Sequence, residues 1–369
     1  MTANKDSPRQ IQVLVVDDSA FMRTALSRMI TSDSGLWVAG TAQNGHEALK
    51  KITELQPDVV TLDVEMTGMS GLEILKRIMQ DCPRPVIIVS SLTEEGAEIT
   101  LDCLAKGAFD CLPKKLSYVS LDITKIRDNL IAKIKAAAQS GRKRPMARVT
   151  QADIPKPRAT PSAPAHGPPA NVVAIGISTG GPKALQEVLP LFPADLPVGI
   201  LIVQHMPVGF TGPFARRLDN LCQISVREAA DGDSVEPGVA YIAPAGWHML
   251  VARRGPLKVA LQLSHSPEHS LHTPSADVMM LSVAEVYGSR AMGIIMTGMG
   301  ADGLLGMKAI LKAGGMTLGQ DETSCAVYGM PRSCAEAGVL QRVVGLFQIP
   351  QQVLQATHYR SSVPARSTK

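Results

Sequence analysis

Asp17, Asp18 and Asp63 stand at the ends of apolar, strand-like runs in the first 140 residues, and Ser90 and Lys114 follow two more. Three carboxylates gathered at one sheet edge repel one another unless a cation lies among them, and an all-oxygen set suits Mg²⁺. Such an ion offsets the charge of a phosphate donor and lets an aspartate attack phosphorus as a nucleophile. Lys114 would then pair with the acyl phosphate, and the Ser90 hydroxyl would hydrogen-bond it. Helix capping accounts for one of the aspartates at 17 and 18. It does not account for all five polar residues at strand ends.

A second chemistry begins at Gly-Ile-Ser178-Thr-Gly, directly after Val172–Ile175. The pattern G-x-S-x-G marks a tight strand-to-helix turn that exposes a serine nucleophile. The same turn could cradle a phosphate. The dinucleotide spacing G-x-G-x-x-G is not met, because Ser178 stands where its second glycine belongs. A serine nucleophile requires a base, and the base an orienting carboxylate. His205 follows the apolar run Gly199–Val203. Asp302 follows Gly293–Thr297 within Thr-Gly-Met-Gly-Ala-Asp-Gly, whose glycines could free backbone N–H groups for an oxyanion hole. The plainer readings are that Asp302 caps the helix from Gly303 and that His205 is a loop residue. His265, His269 and His272 form a rival cluster with a metal reading, but Ser264, Ser266 and Pro267 break the helix that their spacing would need.

The elements that must position these groups follow from periodicity. Strands are expected at Ile11–Val16, Trp37–Ala42, Val59–Leu62, Val86–Val89 and Phe109–Leu112. They alternate with helices that include Gly45–Leu55, Gly71–Met79, one ending near Gly107, and Leu121–Ala138. Five β/α repeats with near-continuous apolar strands imply a five-stranded parallel sheet covered on both faces, with its ligand site at the carboxyl ends of the strands. From Gly141 to Ala170 seven prolines interrupt any pattern, which reads as an extended linker. Strand-like runs return at Val172–Ile175, Gly199–Val203, Val239–Ile242 and Gly293–Met296. Helical stretches are expected at Lys183–Leu189, Ser275–Val286 and Leu304–Lys312, a hairpin at Met249–Ala252 and Val259–Leu263, and a polar, disordered tail after His358. The fold class is α/β: two doubly wound parallel-sheet domains, the second carrying a β-hairpin. The expected boundaries are 9–138, a linker at 139–170, a second domain at 171–355 and a tail at 356–369.

Composition narrows the classes. With 45% hydrophobic and only 4% aromatic residues, the chain suits aliphatic parallel sheets. No apolar run reaches the roughly 18 residues of a membrane span, and no signal-peptide core is present, so a cytoplasmic protein without membrane insertion is expected. The net charge of +4 sits in the linker, since residues 141–170 carry six basic side chains and one acidic one. The folded parts are near neutral, which argues against nucleic acid as a partner. Six cysteines without a C-x-x-C pair read as buried or idle thiols.

Residues 9–138 closely resemble the receiver domain of bacterial response regulators. That resemblance implies Asp63 as the phosphorylated residue, Asp18 as the main metal partner with Asp17 supporting it, Mg²⁺ as cofactor, and Ser90 and Lys114 as switch residues. Thr67 and Lys115 depart from the family pattern. Residues 171–350 resemble the catalytic domain of the chemotaxis protein-glutamate methylesterases, through Ile-Gly-Ile-Ser-Thr-Gly-Gly, Gln-His-Met-Pro, Tyr-Ile-Ala-Pro, Met-Thr-Gly-Met-Gly-Ala-Asp-Gly and Ala-Val-Tyr-Gly-Met-Pro. His272–Asp277 parallels a further family motif, with Thr273 departing from it. The resemblance implies a Ser178–His205–Asp302 triad with the Met299 backbone N–H in the oxyanion hole. It also implies methylated chemoreceptors as substrate, demethylation and deamidation as activities, and a chemotaxis histidine kinase as phosphodonor. A receiver-controlled nucleotide-binding module and a DNA-binding regulator are the alternatives. The first predicts no serine labelling by a phosphonate, and the second lacks a helix-turn-helix.

Overall fold

The computed structural model describes residues 9–91, 93–114, 120–142, 168–255, 258–268 and 270–359. The chain divides into two compact units, Met1–Arg148 and Val149–Lys369.

In the first unit β1 (Ile11–Val16), β2 (Leu36–Ala42), β3 (Val59–Asp63), β4 (Val86–Ser90) and β5 (Asp110–Pro113) form one sheet in the order β2-β1-β3-β4-β5. Every pairing is parallel. Five helices alternate with them: α1 (Ala20–Thr31), α2 (Gly45–Leu55), α3 (Gly71–Asp81), α4 (Glu94–Ala105) and α5 (Ser120–Arg142). β3 and β4 are buried along their whole length, as strands covered on both faces must be. Ser19, Asn44, Ser70 and Thr93 each accept a backbone N–H from the first turn of the helix they precede, so four helix starts are fixed by side-chain caps. Leu26, Ile30, Leu130 and Ile134 close one face of the sheet over Val13, Val15, Val59 and Ile87. Gly107 takes φ 110° at the close of α4, a conformation open to glycine. α5 continues four residues past Ala138, because Ala136–Gln139 favour helix and the first proline comes only at Pro145.

The second unit contains β6 (Val172–Ile177), β7 (Gly199–Gln204), β8 (Ser225–Glu228), β9 (Val239–Ile242), β10 (His248–Arg253), β11 (Val259–Ser264), β12 (Ala291–Ile295), β13 (Met316–Gln320) and β14 (Arg342–Val344). Seven of them make a parallel sheet in the order β14-β13-β12-β6-β7-β9-β8, and β10 and β11 pair separately as the expected antiparallel hairpin. The helices are α6 (Gly181–Val188), α7 (Thr211–Asp219), α8 (Ala276–Tyr287), α9 (Leu304–Lys312), α10 (Met330–Glu336) and α11 (Ile349–Ala356). β6 and β7 are wholly buried. Met279, Met280 and Val283 of α8 pack with Met249 and Val251 of the hairpin in one core that also takes in Val172, Leu201 and Tyr241. β8, β13 and β14 were not expected from periodicity. β8 and β14 are sheet edges of four and three residues with mostly exposed side chains, and β13 carries Gly319, so none presents a long apolar run. The linker at 143–167 and the tail at 360–369 lie outside the described residues. Among the described residues no helix is long and apolar enough to cross a membrane.

Candidate active site

Strand order reverses at β6. The chain runs from β6 to β7 on one side and reaches β12 on the other. In open α/β sheets the crevice at such a point, outside the carboxyl ends, is where ligands bind. Ser178 follows β6, His205 follows β7, and the loop Thr297–Gly303 follows β12, so all three sequence candidates belong to one crevice. The Ser178 turn is tight: its N–H donates to the Thr297 carbonyl at 2.9 Å, and its carbonyl accepts from Gly181 N–H at 2.8 Å. Gly180 takes φ 79°, and a Cβ there would lie 2.5 Å from the Ala326 Cβ, so both conformation and space call for glycine.

Asp302 is the most heavily bonded group in the crevice. Its Oδ2 accepts from His205 Nε2 at 2.8 Å and from Ala276 N–H at 2.7 Å. Its Oδ1 accepts from Ser275 Oγ at 2.7 Å and from Asp277 N–H at 3.0 Å. The carboxylate thus sits on the first turn of α8, where free N–H groups and the helix dipole favour negative charge. Burial alone would raise its pKa, but the bond and charge of His205, together with Ser275 and Ala276, hold it well below the ordinary carboxylate range. The plainer reading of Asp302 as a cap for the following helix fails, because Gly303 is the N-cap of α9 and no side chain bonds there. An ionised carboxylate only accepts, so the hydrogen of this bond sits on His205 Nε2, and the ring's other nitrogen is Nδ1. That Nδ1 is buried and has no hydrogen-bond partner. Ser178 Oγ is not bonded to it, so the His205–Asp302 link is closed and the Ser178–His205 link is open.

Further residues brace the crevice. Thr297 is buried. Its N–H donates to Gln320 Oε1 at 2.9 Å, and its hydroxyl donates to the Thr179 carbonyl at 2.9 Å. The Gly298 carbonyl accepts from Gly329 and Met330 N–H groups, and the intervening Met299 amide stands outside every hydrogen bond of the described residues. Gln204 Nε2 donates to the Ser178 and His205 carbonyls, both at 3.0 Å. The His272 ring stacks on His205 with centroids 4.1 Å apart. His248 is fully buried, its Nδ1 accepts from Ser275 N–H at 3.2 Å, and burial pulls its pKa down. His265 instead stacks on Trp247 and bonds the Gly246 carbonyl. His265 and His272 therefore face different neighbours, and His269 falls outside the described residues. Ser275, Gln204 and Gln320 were not singled out by sequence reasoning. Their bonds to the crevice span 23 or more residues for the most part, beyond local spacing, although Gln204 beside His205 at a strand end was a usable signal.

In the first unit Asp17, Asp18 and Asp63 each offer a carboxylate oxygen within 4.8 Å of the others, the one such group of His, Cys, Asp and Glu among the described residues. Asp17, Asp63 and Ser90 are fully buried. Lys114 Nζ lies 2.6 Å from Asp63 Oδ2 and 3.4 Å from Asp17 Oδ2. Burial, then the Asp63 charge, pushes the Asp17 pKa up despite Lys114. Burial pulls the Lys114 ammonium down, but its bonds to Asp63 and Asp17 outweigh that and hold it above its ordinary value. Two buried acids against one lysine leave room for further positive charge, and the donor set fits a hard divalent cation. Ser90 Oγ donates to the Gly96 carbonyl at 3.1 Å, across the β4–α4 loop in the first turn of α4. Glu65 accepts from the Ser91 and Thr93 hydroxyls of that loop.

Residues 173–353 match the family model described as CheB methylesterase, and residues 13–123 match the response regulator receiver domain. A protein-glutamate methylesterase/protein-glutamine glutaminase of Oleidesulfovibrio alaskensis is 48% identical over 369 residues, covering 94% of this chain and all of that protein. One of the same name from Pyrococcus abyssi is 47% identical over 94% of each. The chain belongs to the protein-glutamate methylesterase/protein-glutamine glutaminase family. It is an ester hydrolase and glutaminase with a response-regulator receiver domain. Among solved structures, the CheB methylesterase catalytic domain of Thermotoga maritima is 38% identical, covering 50% of this chain and 98% of its own, with a TM-score of 0.49. The response regulator domain of the same organism's CheB is 48% identical, covering 36% and 98%, with a TM-score of 0.33.

Proposed function

We propose that this methylesterase is a serine hydrolase in which Ser178 is the nucleophile, His205 the general base and Asp302 the orienting carboxylate. Its substrates are glutamate methyl esters on the cytoplasmic helices of chemoreceptors, and its receiver controls it in chemotactic adaptation. The supporting observation is the Asp302 carboxylate, bound at once by His205 and by the N-terminus of α8 beside the Ser178 turn. That arrangement fixes the tautomer with hydrogen on Nε2 and turns the basic Nδ1 inward. Ser178 Oγ attacks the ester carbonyl carbon while its proton passes to Nδ1. The resulting oxyanion accepts from the Met299 N–H. The C–O bond to the methoxy group then breaks, and Nδ1 returns the proton so that methanol leaves. A glutamine amide follows the same course and releases ammonia. Water, deprotonated by Nδ1, opens the acyl-enzyme to glutamate and free Ser178. The open Ser178–His205 link closes when substrate orders the hydroxyl, as apo-state catalytic bonds commonly do.

In the receiver, 9–138, Asp63 accepts a phosphoryl group from a chemotaxis histidine kinase in the cytoplasm. Asp17, Asp18 and Asp63 would hold Mg²⁺, which when bound offsets the charge of the incoming phosphate. Lys114 already neutralises Asp63 and would pair with the acyl phosphate. Ser90 would exchange its bond to Gly96 for one to the phosphate and so move the β4–α4 loop. Residues 139–170 link the receiver to the catalytic domain, 171–355.

The test uses the full chain and a methylated receptor fragment. Ser178→Ala should abolish phosphonate labelling and lower methanol release by about 10⁴-fold or more, with thermal unfolding unchanged. A small-molecule phosphodonor with Mg²⁺ should raise turnover of wild type but not of Asp63→Asn. Near-normal turnover by Ser178→Ala refutes the nucleophile. Stimulation that survives Asp63→Asn refutes the receiver assignment.

A further inference from the structure

Gln204 is the last residue of β7, and its side chain reaches across to the neighbouring β6 turn. Both Nε2 hydrogens are committed, one to the carbonyl of Ser178 and one to the carbonyl of His205, each at 3.0 Å. Among the described residues no other side chain bonds the backbone of both. The amide is 1% exposed, and its Oε1 is buried with no partner. An orphaned buried carbonyl destabilises a fold, and an apolar side chain of similar length would avoid it. The value of an amide here therefore lies in its two N–H bonds, to the Ser178 and His205 carbonyls, and not in its oxygen. Space has been left for it as well: a Cβ on Gly181 would overlap Oε1, so the second glycine of Ser-Thr-Gly-Gly keeps the amide in place.

We infer that Gln204 is a positioning residue, a two-headed tie that sets the distance between the nucleophile turn and the base. The inference rests on the assignment of Ser178 and His205 proposed above. Ser178 and His205 follow neighbouring strands joined at their ends by the His205 N–H bond to the Ile177 carbonyl at 3.2 Å, but the Ser178 hydroxyl has no bond to the imidazole that could hold the two side chains in register. The tie does through the backbone what the missing side-chain bond does not. Loss of it leaves the side-chain bond between His205 and Asp302 in place, because Gln204 meets His205 only at its backbone carbonyl. It loosens the near-attack geometry, where an error of about 1 Å costs about 10²-fold.

The experiment compares full-length wild type with Gln204→Met, which keeps the length and removes both donors. The expected result is a fall in kcat of about 10–10²-fold at unchanged KM, with the same fall in the rate of phosphonate labelling of Ser178. The apparent pKa of the acid limb of the rate profile should stay where it is. A Gln204→Met enzyme within twofold of wild-type kcat and labelling rate overturns the inference, whether or not its melting temperature falls. Ser178→Ala, run alongside, separates the two readings. If it is inactive while Gln204→Met is normal, only the positioning role fails. If it is active, the nucleophile assignment fails.

Discussion

Gly298→Ala offers a sharp test of the crevice, because the space for a methyl group is measurable. A Cβ at position 298 would lie 2.8 Å from the Ser178 Cβ and 3.1 Å from its backbone nitrogen, and would run into the Met330 sulfur. The thioether can swing aside at little cost. The serine cannot, since its N–H is bonded to the Thr297 carbonyl and its carbonyl to Gly181 and Gln204. Ordinary contact begins at 3.4 Å, so the Ser178 turn and the 298 loop must separate by about 0.6 Å. Overpacking of this kind costs about 1–3 kcal/mol of stability. By the scale on which 1 Å costs about 10²-fold, 0.6 Å should slow acylation by about 10–10²-fold, or roughly 1.4–2.7 kcal/mol of barrier. The assay is phosphonate labelling of Ser178 under single-turnover conditions, with methanol release and a thermal melt on the same preparation. Labelling within twofold of wild type would mean that the 298 loop and Ser178 are not in the contact described, and the oxyanion geometry built on it would fall too.

The other predictions use the two tryptophans, Trp37 in the first unit and Trp247 in the second, as separate fluorescence reporters. Asp302 has a folded pKa held below its unfolded value of about 3.9, so its contribution is full above that pH and is lost as pH falls toward the folded value. In a Trp37→Phe background, urea midpoints of wild type should drop steeply below about pH 4, and Asp302→Asn should show a shallower drop; parallel curves would refute the charge assignment. Asp302→Asn should also cut kcat by about 10²–10⁴-fold at pH 7. Asp17 has a folded pKa above its unfolded value, so its charged form weakens the fold at neutral pH and the penalty fades as pH falls. In a Trp247→Phe background Asp17→Asn should raise the urea midpoint without metal, and Mg²⁺ should stabilise wild type much more than the variant; a wild type indifferent to Mg²⁺ would refute the metal pocket.

What the sequence made legible follows from how each contact is encoded. The chemistry-bearing residues at the ends of β1, β3, β6, β7 and β12 could be placed because fully buried parallel strands write themselves as unbroken aliphatic runs, and the next polar residue falls at the carboxyl end. β8, β13 and β14 were illegible for the converse reason, being short, glycine-bearing or exposed. Ser275 could be read as a helix start, since it caps α8 by accepting from Val278 N–H. Its hydroxyl hydrogen going to Asp302, 27 positions away, is a tertiary fact that no local pattern carries. The imidazole stack of His272 on His205 is of the same kind: histidine spacing drew attention to a metal, whereas the fold brings His272 against the ring of His205.

The shell around Asp302 has a consequence for motion as well as for charge. In the proposed mechanism a proton moves onto the imidazole, and a solvated carboxylate would then have to drag water dipoles into a new arrangement. The dipoles here are the amides of Ala276 and Asp277, whose positions are set by Ala276, Met279, Met280 and Val283 buried in the core. They are already oriented and need not turn, so the reorganisation that water would demand at each turnover was completed when α8 packed. The polarisation of the site is thereby a mechanical property of the hydrophobic core. Loosening Met280 or Val283 should appear first as a slower enzyme and only later, on further loosening, as an unfolded one.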